Sequence, residues 1–246
     1  MAAIAFDIPE EITAVADGLR AFADAEVIPR HEAHRDFFED PRRLYREDGR
    51  FSDELNGLIG EVRRAAAQAG YYAMCVPEEL GGGGLGHLAY FVGWQSLFHH
   101  CGPQNWLMLY AVSHWAFGPS RLLEKATPRA REEILAPLMT GEKSMCFGLS
   151  EPGAGSDAAA LKTRAVPDGD GWRISGRKIW TSNSPVADYC IIFAITDPER
   201  AAARRGGISA FLVPTDAPGF EIQRIIKFLD RKSTRLNSSH QIISYA

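Results

Sequence analysis

Apolar residues recur at three-to-four spacing along the first part of the chain, and near residue 143 that pattern gives way to short runs broken by Gly, Pro and Asp. Pro9 followed by Glu10 and Glu11 makes a favourable first helical turn, because the acidic side chains complement the helix dipole. Ile12, Val15, Leu19, Phe22, Ala23 and Val27 then line one apolar face. Residues 34–51 are densely charged and interrupted by Pro41 and Gly49, which predicts a surface excursion. Ser52 is placed to cap a second helix that ends at Gly70. Runs at 86–100 and 104–117 and a segment led by Pro128 to about residue 139 complete the helical part. The first two runs are apolar nearly all round, as expected inside a helical bundle.

The later part predicts strands at Ser144–Leu149, Leu161–Val166, Trp172–Ser175, Lys178–Ser182, Tyr189–Ile195, Ile208–Val213 and Phe220–Ile225. Pro167-Asp168-Gly169-Asp170-Gly171 has hairpin composition. Helices first and strands second, without βαβ alternation, predict an α+β multidomain chain. The expected division is an all-α helical bundle over residues 1–143 and an incomplete antiparallel, barrel-like β domain over residues 144–229.

Composition narrows the function classes. A formal net charge of -4 offers no nucleic-acid footprint. Cys75, Cys101, Cys146 and Cys190 are scattered without a CxxC pair and read as reduced thiols. An acidic start without a secretory signal, and the lack of any membrane-length apolar stretch, lead to the expectation of a cytoplasmic protein with no membrane span. His99-His100-Cys101 diverge around a helix and do not converge on one metal ion. Gly81–Gly84 are followed by no Lys-Ser/Thr and so do not form a phosphate loop.

Two segments carry chemistry. Met145–Asp157 (MCFGLSEPGAGSD) runs from a strand into a turn where Gly153 and Gly155 permit positive φ and close approach of a flat or phosphate-bearing ligand. Its exposed N–H groups suit carbonyl or phosphate oxygens. Gly171–Asn183 (GWRISGRKIWTSN) sets Trp180 and Ser182 on one side of an expected strand, an aromatic plane beside a hydroxyl donor. Taken singly, a connecting turn and a core tryptophan would look the same.

In order along the chain, SEPGAGSD, DGDGWRISGRKIWTSN, ADYCIIFAIT and GGISAFLVPTDAPGFEI resemble the acyl-CoA dehydrogenase family. A looser likeness through AQAGYYAMCVPEELGGGGLG extends it over residues 9–229. The resemblance implies FAD as cofactor and Phe147–Ser156 as a flavin-lining wall. Leu149 and Ser150 would offer backbone donors and a hydroxyl at the pyrimidine edge. Trp180 would pack on the ring, Ser182 would reach toward N5, and Gly155 and Thr181 would complete the wall. Family members often carry Thr at the Ser182 position; Ser keeps the donor and loses the methyl that restrains it. Ser156 would lie where the acyl-CoA thioester arm or the ribityl-phosphate passes. Glu151 and Asp157 are expected to hold the turn, not to do catalysis.

The implied reaction is α,β-dehydrogenation of an acyl-CoA thioester, with a carboxylate taking the α proton and the β hydride going to flavin N5. The family's carboxylate base lies on a C-terminal helical domain, so no catalytic residue is assigned. An electron-transfer flavoprotein as acceptor and a homo-oligomer, tetramer or dimer, are further implications. Oxidases and monooxygenases of the same fold, and a non-enzymatic partner-binding module, are the competing readings.

Residues 230–246 (DRKSTRLNSSHQIISYA) show no helical or strand periodicity. Asp230–His240 is what a common short-read sequencing adapter would encode, and Ile243–Ala246 fit its continuation. The expectation is an adapter-derived tail after an interrupted reading frame.

Overall fold

The computed structural model describes residues 7–226 and 240–245, the last strand by its backbone alone. The fold is α+β, and the chain divides into two compact units. One comprises residues up to Asp40 with Asp53–Glu142, and the other Pro41–Ser52 with the residues from Lys143 onward.

In the helical unit, α1 (Glu10–Phe22) buries Ile12, Ala16, Leu19 and Phe22. It runs on through a π turn (Ala23–Val27), in which Ile28 N–H reaches back to the Ala23 carbonyl, into α2 (Ile28–Ala33). Pro29 accounts for the widened turn, because it brings no N–H to continue the α-helical ladder. Arg30 staples the junction through the Glu26 carbonyl at 2.6 Å and the Glu61 carboxylate at 3.2 Å. The expectation of a wholly solvated excursion over 34–51 is corrected in each unit by itself, since Phe37 of α3 (Arg35–Glu39) is buried here and Leu44 is buried in the other unit. The charge density of the segment hid these two anchors.

α4 (Asp53–Gln68) ends before Gly70, whose φ of 83° takes the left-handed turn. α5 (Gly86–Cys101) packs along α1, where Ile12, Ala16, Ala89 and Val92 form one cluster with Cys75 and Leu85 against it. The approach is close: a Cβ on Gly93 would stand 2.9 Å from Leu19 Cδ1. Within this chain α5 is not enclosed all round. Leu88, Phe91 and Phe98 are exposed, at 49%, 65% and 43%.

The expected helix at 104–117 is instead a single 3-10 stretch, Trp106–Tyr110, followed by turns. Asn105 caps it by accepting from Met108 N–H, and Leu107 and Met108 face inward, so burial and not helical period explains the apolar run. α6 (Pro128–Met139) starts at Thr127, whose hydroxyl accepts from Ala130 N–H at 3.3 Å.

The β unit contains β1 (Met145–Gly148), β2 (Arg164–Asp168), β3 (Gly171–Lys178), β4 (Tyr189–Ile195), a short helix α7 (Pro198–Ala202), β5 (Ile208–Pro214), β6 (Glu221–Ile226) and β7 (His240–Tyr245). β2 and β3 form the hairpin expected at Pro167–Gly171. The two strands expected at 172–175 and 178–182 are one, and it stops at Lys178.

The sheet is open, as expected of an incomplete barrel, and mostly antiparallel, with β4 running parallel to both β1 and β2. β1 and β4 run parallel, with Cys146 opposite Cys190, while β4 and β5 are antiparallel over their whole length. The β2–β3 hairpin intervenes between β1 and β4 and gives the chain room to return in the same direction. Cys146, Ala187, Cys190 and Ile192 make one buried cluster with Ile174, Val213 and Phe220 packed on it. All four cysteines are free.

β7 falls in the tail for which no element was expected, and it pairs antiparallel with both β3 and β6. Its QIISY run offers the open edge of β3 a short strand. Residues 230–239 of the tail lie outside the described residues. Among the described residues no helix is long and apolar enough to cross a membrane.

Burial separates two leucines that hydropathy treats alike. Leu19→Ala is expected to cost about 2–5 kcal/mol, and Leu88→Ala about 0.5 kcal/mol or less, measured as shifts in urea-unfolding midpoints.

Candidate functional site

The site grows from a fork in the sheet. Along one edge of β4, β1 pairs with Tyr189–Ile192 and β2 takes over only at Ile195. Leu149–Thr163 therefore leave the ladder between the two strands and form the SEPGAGSD turn. Glu151 and Ala154 exchange N–H···O bonds of 2.9 and 3.1 Å, closing a tight loop with Pro152 and Gly153 at its tip.

Gly153 and Gly155 do not have positive φ, contrary to expectation. What distinguishes them is space. A Cβ built on either would meet nothing within 4 Å, so the chain itself leaves room for a ligand to approach the backbone. The Gly81–Gly84 segment behaves in the opposite way. A Cβ on Gly82 would strike the Val76 carbonyl at 2.2 Å, and the N–H groups of Gly83, Gly84 and Leu85 bond the carbonyls of Ala73, Val76 and Met74. That loop is closed on itself by its own backbone.

Beneath the turn lies a buried ion pair that inspection of the motifs missed. Lys178, at the end of β3, and Glu151 have side chains 0% and 6% exposed and meet at 2.8 Å. Lys178 Nζ also donates to the Leu149 carbonyl at 3.2 Å. Glu151 accepts from Lys162 N–H at 2.6 Å, Thr163 N–H at 3.0 Å and the Thr163 hydroxyl at 2.5 Å. Gly176 makes this packing feasible, since a Cβ there would lie 2.3 Å from Thr163 Oγ1.

Burial pushes the Glu151 carboxyl up, but Lys178, the Thr163 hydroxyl and the two N–H groups outweigh it and hold it below the ordinary value. Burial pulls Lys178 down, with Glu151 resisting. Asp157 pairs in two bonds with Arg204, at 3.0 and 2.6 Å, and is likewise held low by that partner. Both carboxylates are thus engaged in holding the turn. The spacing S-E-P with a Lys twenty-seven positions on was the available signal, but a strand-end lysine looks solvated in sequence.

Trp180 and Ser182 do not lie on a strand. Trp180 has φ 62° and Asn183 φ 71°, so two left-handed residues bracket Thr181-Ser182. Asn tolerates this region; a bulky Trp does not, at a cost of about 1–3 kcal/mol. The turn is tied down on both sides. Ile179 N–H bonds the Ser150 carbonyl at 2.9 Å, and Asn183 Nδ2 bonds the Met145 carbonyl at 3.0 Å. Trp180 is held beside the SEPGAGSD turn with 45% of its surface exposed, and Thr181 points inward, its hydroxyl buried without a hydrogen-bond partner.

Of the sequence-selected residues, Leu149, Ser150 and Trp180 come together through these backbone ties, with Ser182 partly exposed next to them. Gly155 and Ser156 are exposed on the far arm of the turn, and Phe147 packs its ring against Phe193 at 5.0 Å between centroids. His100 bonds Asp24 at 2.7 Å, and no cluster of metal-ligating residues occurs among the described residues.

The Glu151 network carries a pH signature. A carboxyl whose folded pKa is depressed adds stability that is fully present above its unfolded value, about 4.3, and is lost as pH falls through the folded value. Melting temperature measured between pH 6 and pH 3 is expected to drop below about pH 4.3, and Glu151→Gln should flatten that slope while lowering stability at pH 7.

The comparisons agree with this architecture. The acyl-CoA dehydrogenase N-terminal domain matches residues 9–142 and the middle domain matches residues 146–237. A short-chain specific acyl-CoA dehydrogenase, mitochondrial, of Bos taurus is 39% identical over 209 residues, 85% of this chain and 48% of the relative. A chain from a structure of the electron transferring flavoprotein of Acidaminococcus fermentans superposes with a TM-score of 0.70 at 26% identity, covering 99% of this chain and 57% of that one. An acyl-CoA dehydrogenase complexed with FAD from Bacillus anthracis shares the fold, with a TM-score of 0.66 at 24% identity over 98% of this chain and 36% of that one. The chain thus spans about half the length of the curated relatives it matches. With both domain models matched over most of its length, the chain belongs to the acyl-CoA dehydrogenase family.

Proposed function

We propose that this chain supplies the flavin-facing wall of an FAD-dependent acyl-CoA dehydrogenase that introduces a double bond between Cα and Cβ of an acyl-CoA thioester. The observation that carries the reading is the tie between two unlike pieces of backbone. A turn open above Gly153 and Gly155 is bonded, through Ser150 and Ile179, to a strained loop that holds out Trp180. An open main-chain turn beside an aromatic plane fits a flat heterocycle with hydrogen-bonding edges.

Bound FAD supplies a hydride acceptor at the substrate's β carbon. The remaining roles fall to the chain's own residues. Leu149 and Ser150 bind the pyrimidine edge by main-chain N–H and hydroxyl, with Phe147 and Gly155 flanking. Trp180 stacks on the ring and excludes water, with Thr181 packed behind it. The Ser182 hydroxyl donates toward N5, and Ser156 orients the thioester arm or the ribityl-phosphate. The base that removes the α proton is assigned to none of them, because Glu151 and Asp157 are both committed to cations. In this reading it comes from the family's C-terminal helical domain, and the chain is a fragment of the whole enzyme. An electron-transferring flavoprotein as electron acceptor and assembly into a homo-oligomer complete the proposal. The acceptor is supported by the Acidaminococcus fermentans likeness.

Because the chain supplies only one wall of the site, titrating the 246-residue chain with FAD is expected to shift the flavin's visible bands with weak affinity, and Trp180→Ala to weaken binding roughly tenfold further, since a stacked ring contributes about 1.4 kcal/mol. The chain alone should leave saturated acyl-CoA unoxidised. Visible bands and flavin fluorescence untouched by folded protein, or acyl-CoA oxidised by the chain on its own, would each defeat part of this reading.

A further inference from the structure

Lys178 is the largest fully buried side chain among the described residues, and no step of the proposed chemistry uses it. Two charges held out of water are a poor way to fill space. An apolar pair of the same volume is often neutral or stabilising by comparison. What an ion pair supplies and an apolar pair cannot is direction.

The direction is readable from peptide geometry. In a trans peptide the carbonyl and the following N–H point opposite ways. Lys178 Nζ draws the Leu149 carbonyl down toward the buried pair at 3.2 Å. The N–H of the same peptide, that of Ser150, must then point away from the pair. The next peptide is fixed from the other flank, where the Ser150 carbonyl accepts Ile179 N–H at 2.9 Å. Glu151 anchors the ammonium from behind and is itself immobilised by Lys162 and Thr163. Two successive peptide planes are thereby locked by the end of β3, the strand that leads into Trp180.

We propose that Lys178, backed by Glu151, is a positioning residue that aims the Ser150 N–H at the pyrimidine edge of the flavin and keeps that donor in register with Trp180. This rests on the flavin reading given above. Lys178 does not touch the cofactor; it acts through the Leu149–Ser150 peptide.

The test compares the 246-residue chain with its Lys178→Met and Glu151→Gln/Lys178→Met variants, each titrated with FAD and followed by visible spectrum and by melting temperature. Met fills the ammonium's place without a donor, and the double variant avoids an unpaired buried charge should the single one fail to fold. The expected result is FAD affinity lower by about tenfold or more in both variants, with a flavin band displaced from its wild-type position, while the double variant melts within a few degrees of wild type. Wild-type affinity and an unchanged band in a folded variant overturn the positioning role and leave the flavin reading intact. No band shift with wild-type chain overturns both.

Discussion

The contact between the Lys178 ammonium and the Glu151 carboxylate is the interaction on which the β unit's chemistry depends. It joins the end of β3 to the loop between β1 and β2, beside the one backbone bond from Ile179 to Ser150. Removing one partner would leave an uncompensated charge in the interior, which costs about 3–5 kcal/mol. The pair is tolerated because every neighbouring group is recruited to it. Thr163 contributes both N–H and hydroxyl, Lys162 a second N–H, and Gly176 the absence of a side chain that would keep Thr163 away.

Glycine serves two different ends in the two units. In the helical unit, Gly82 and Gly83 lie so close to the carbonyls of residues 73–76 that any side chain would collide with backbone. In the β unit, Gly153 and Gly155 face open space. Both stretches look alike as strings of small residues. Only the second leaves backbone accessible, and that difference is a matter of which partner strand or turn lies opposite.

Much of the fold was legible in the sequence because its signals were local. Pro9 with two acidic neighbours, Gly70, Thr127-Pro128 and the Pro167–Gly171 hairpin act within a few residues of the boundaries they set. Tyr189–Ile195, buried along most of its length, reads as a strand from its apolar run. The misses were non-local. The 104–117 run is apolar because it is buried, and Asn105 and the turns after Tyr110 override its helical look. The parallel pairing of β1 with β4 depends on how far the chain travels between them. At the site, the SEPGAGSD and WTS segments could be singled out by residue type. The left-handed backbone at Trp180 could not, since nothing in a Trp predicts it, and neither could the burial of Lys178, whose neighbours alternate as an exposed strand does.

The fork at β4 has a further consequence. A regular sheet consumes its own donors and acceptors, so main chain is exposed beside a rigid core only where strand pairing is interrupted. Here one edge of β4 simply passes from β1 to β2 with an interval between, and Leu149–Thr163 occupy that interval without disturbing either register. The tip of that loop can therefore vary in length or composition while the strands on either side keep their partners. Diversification of the ligand and preservation of the scaffold are separable in this architecture, because the boundary between them is a gap in strand pairing.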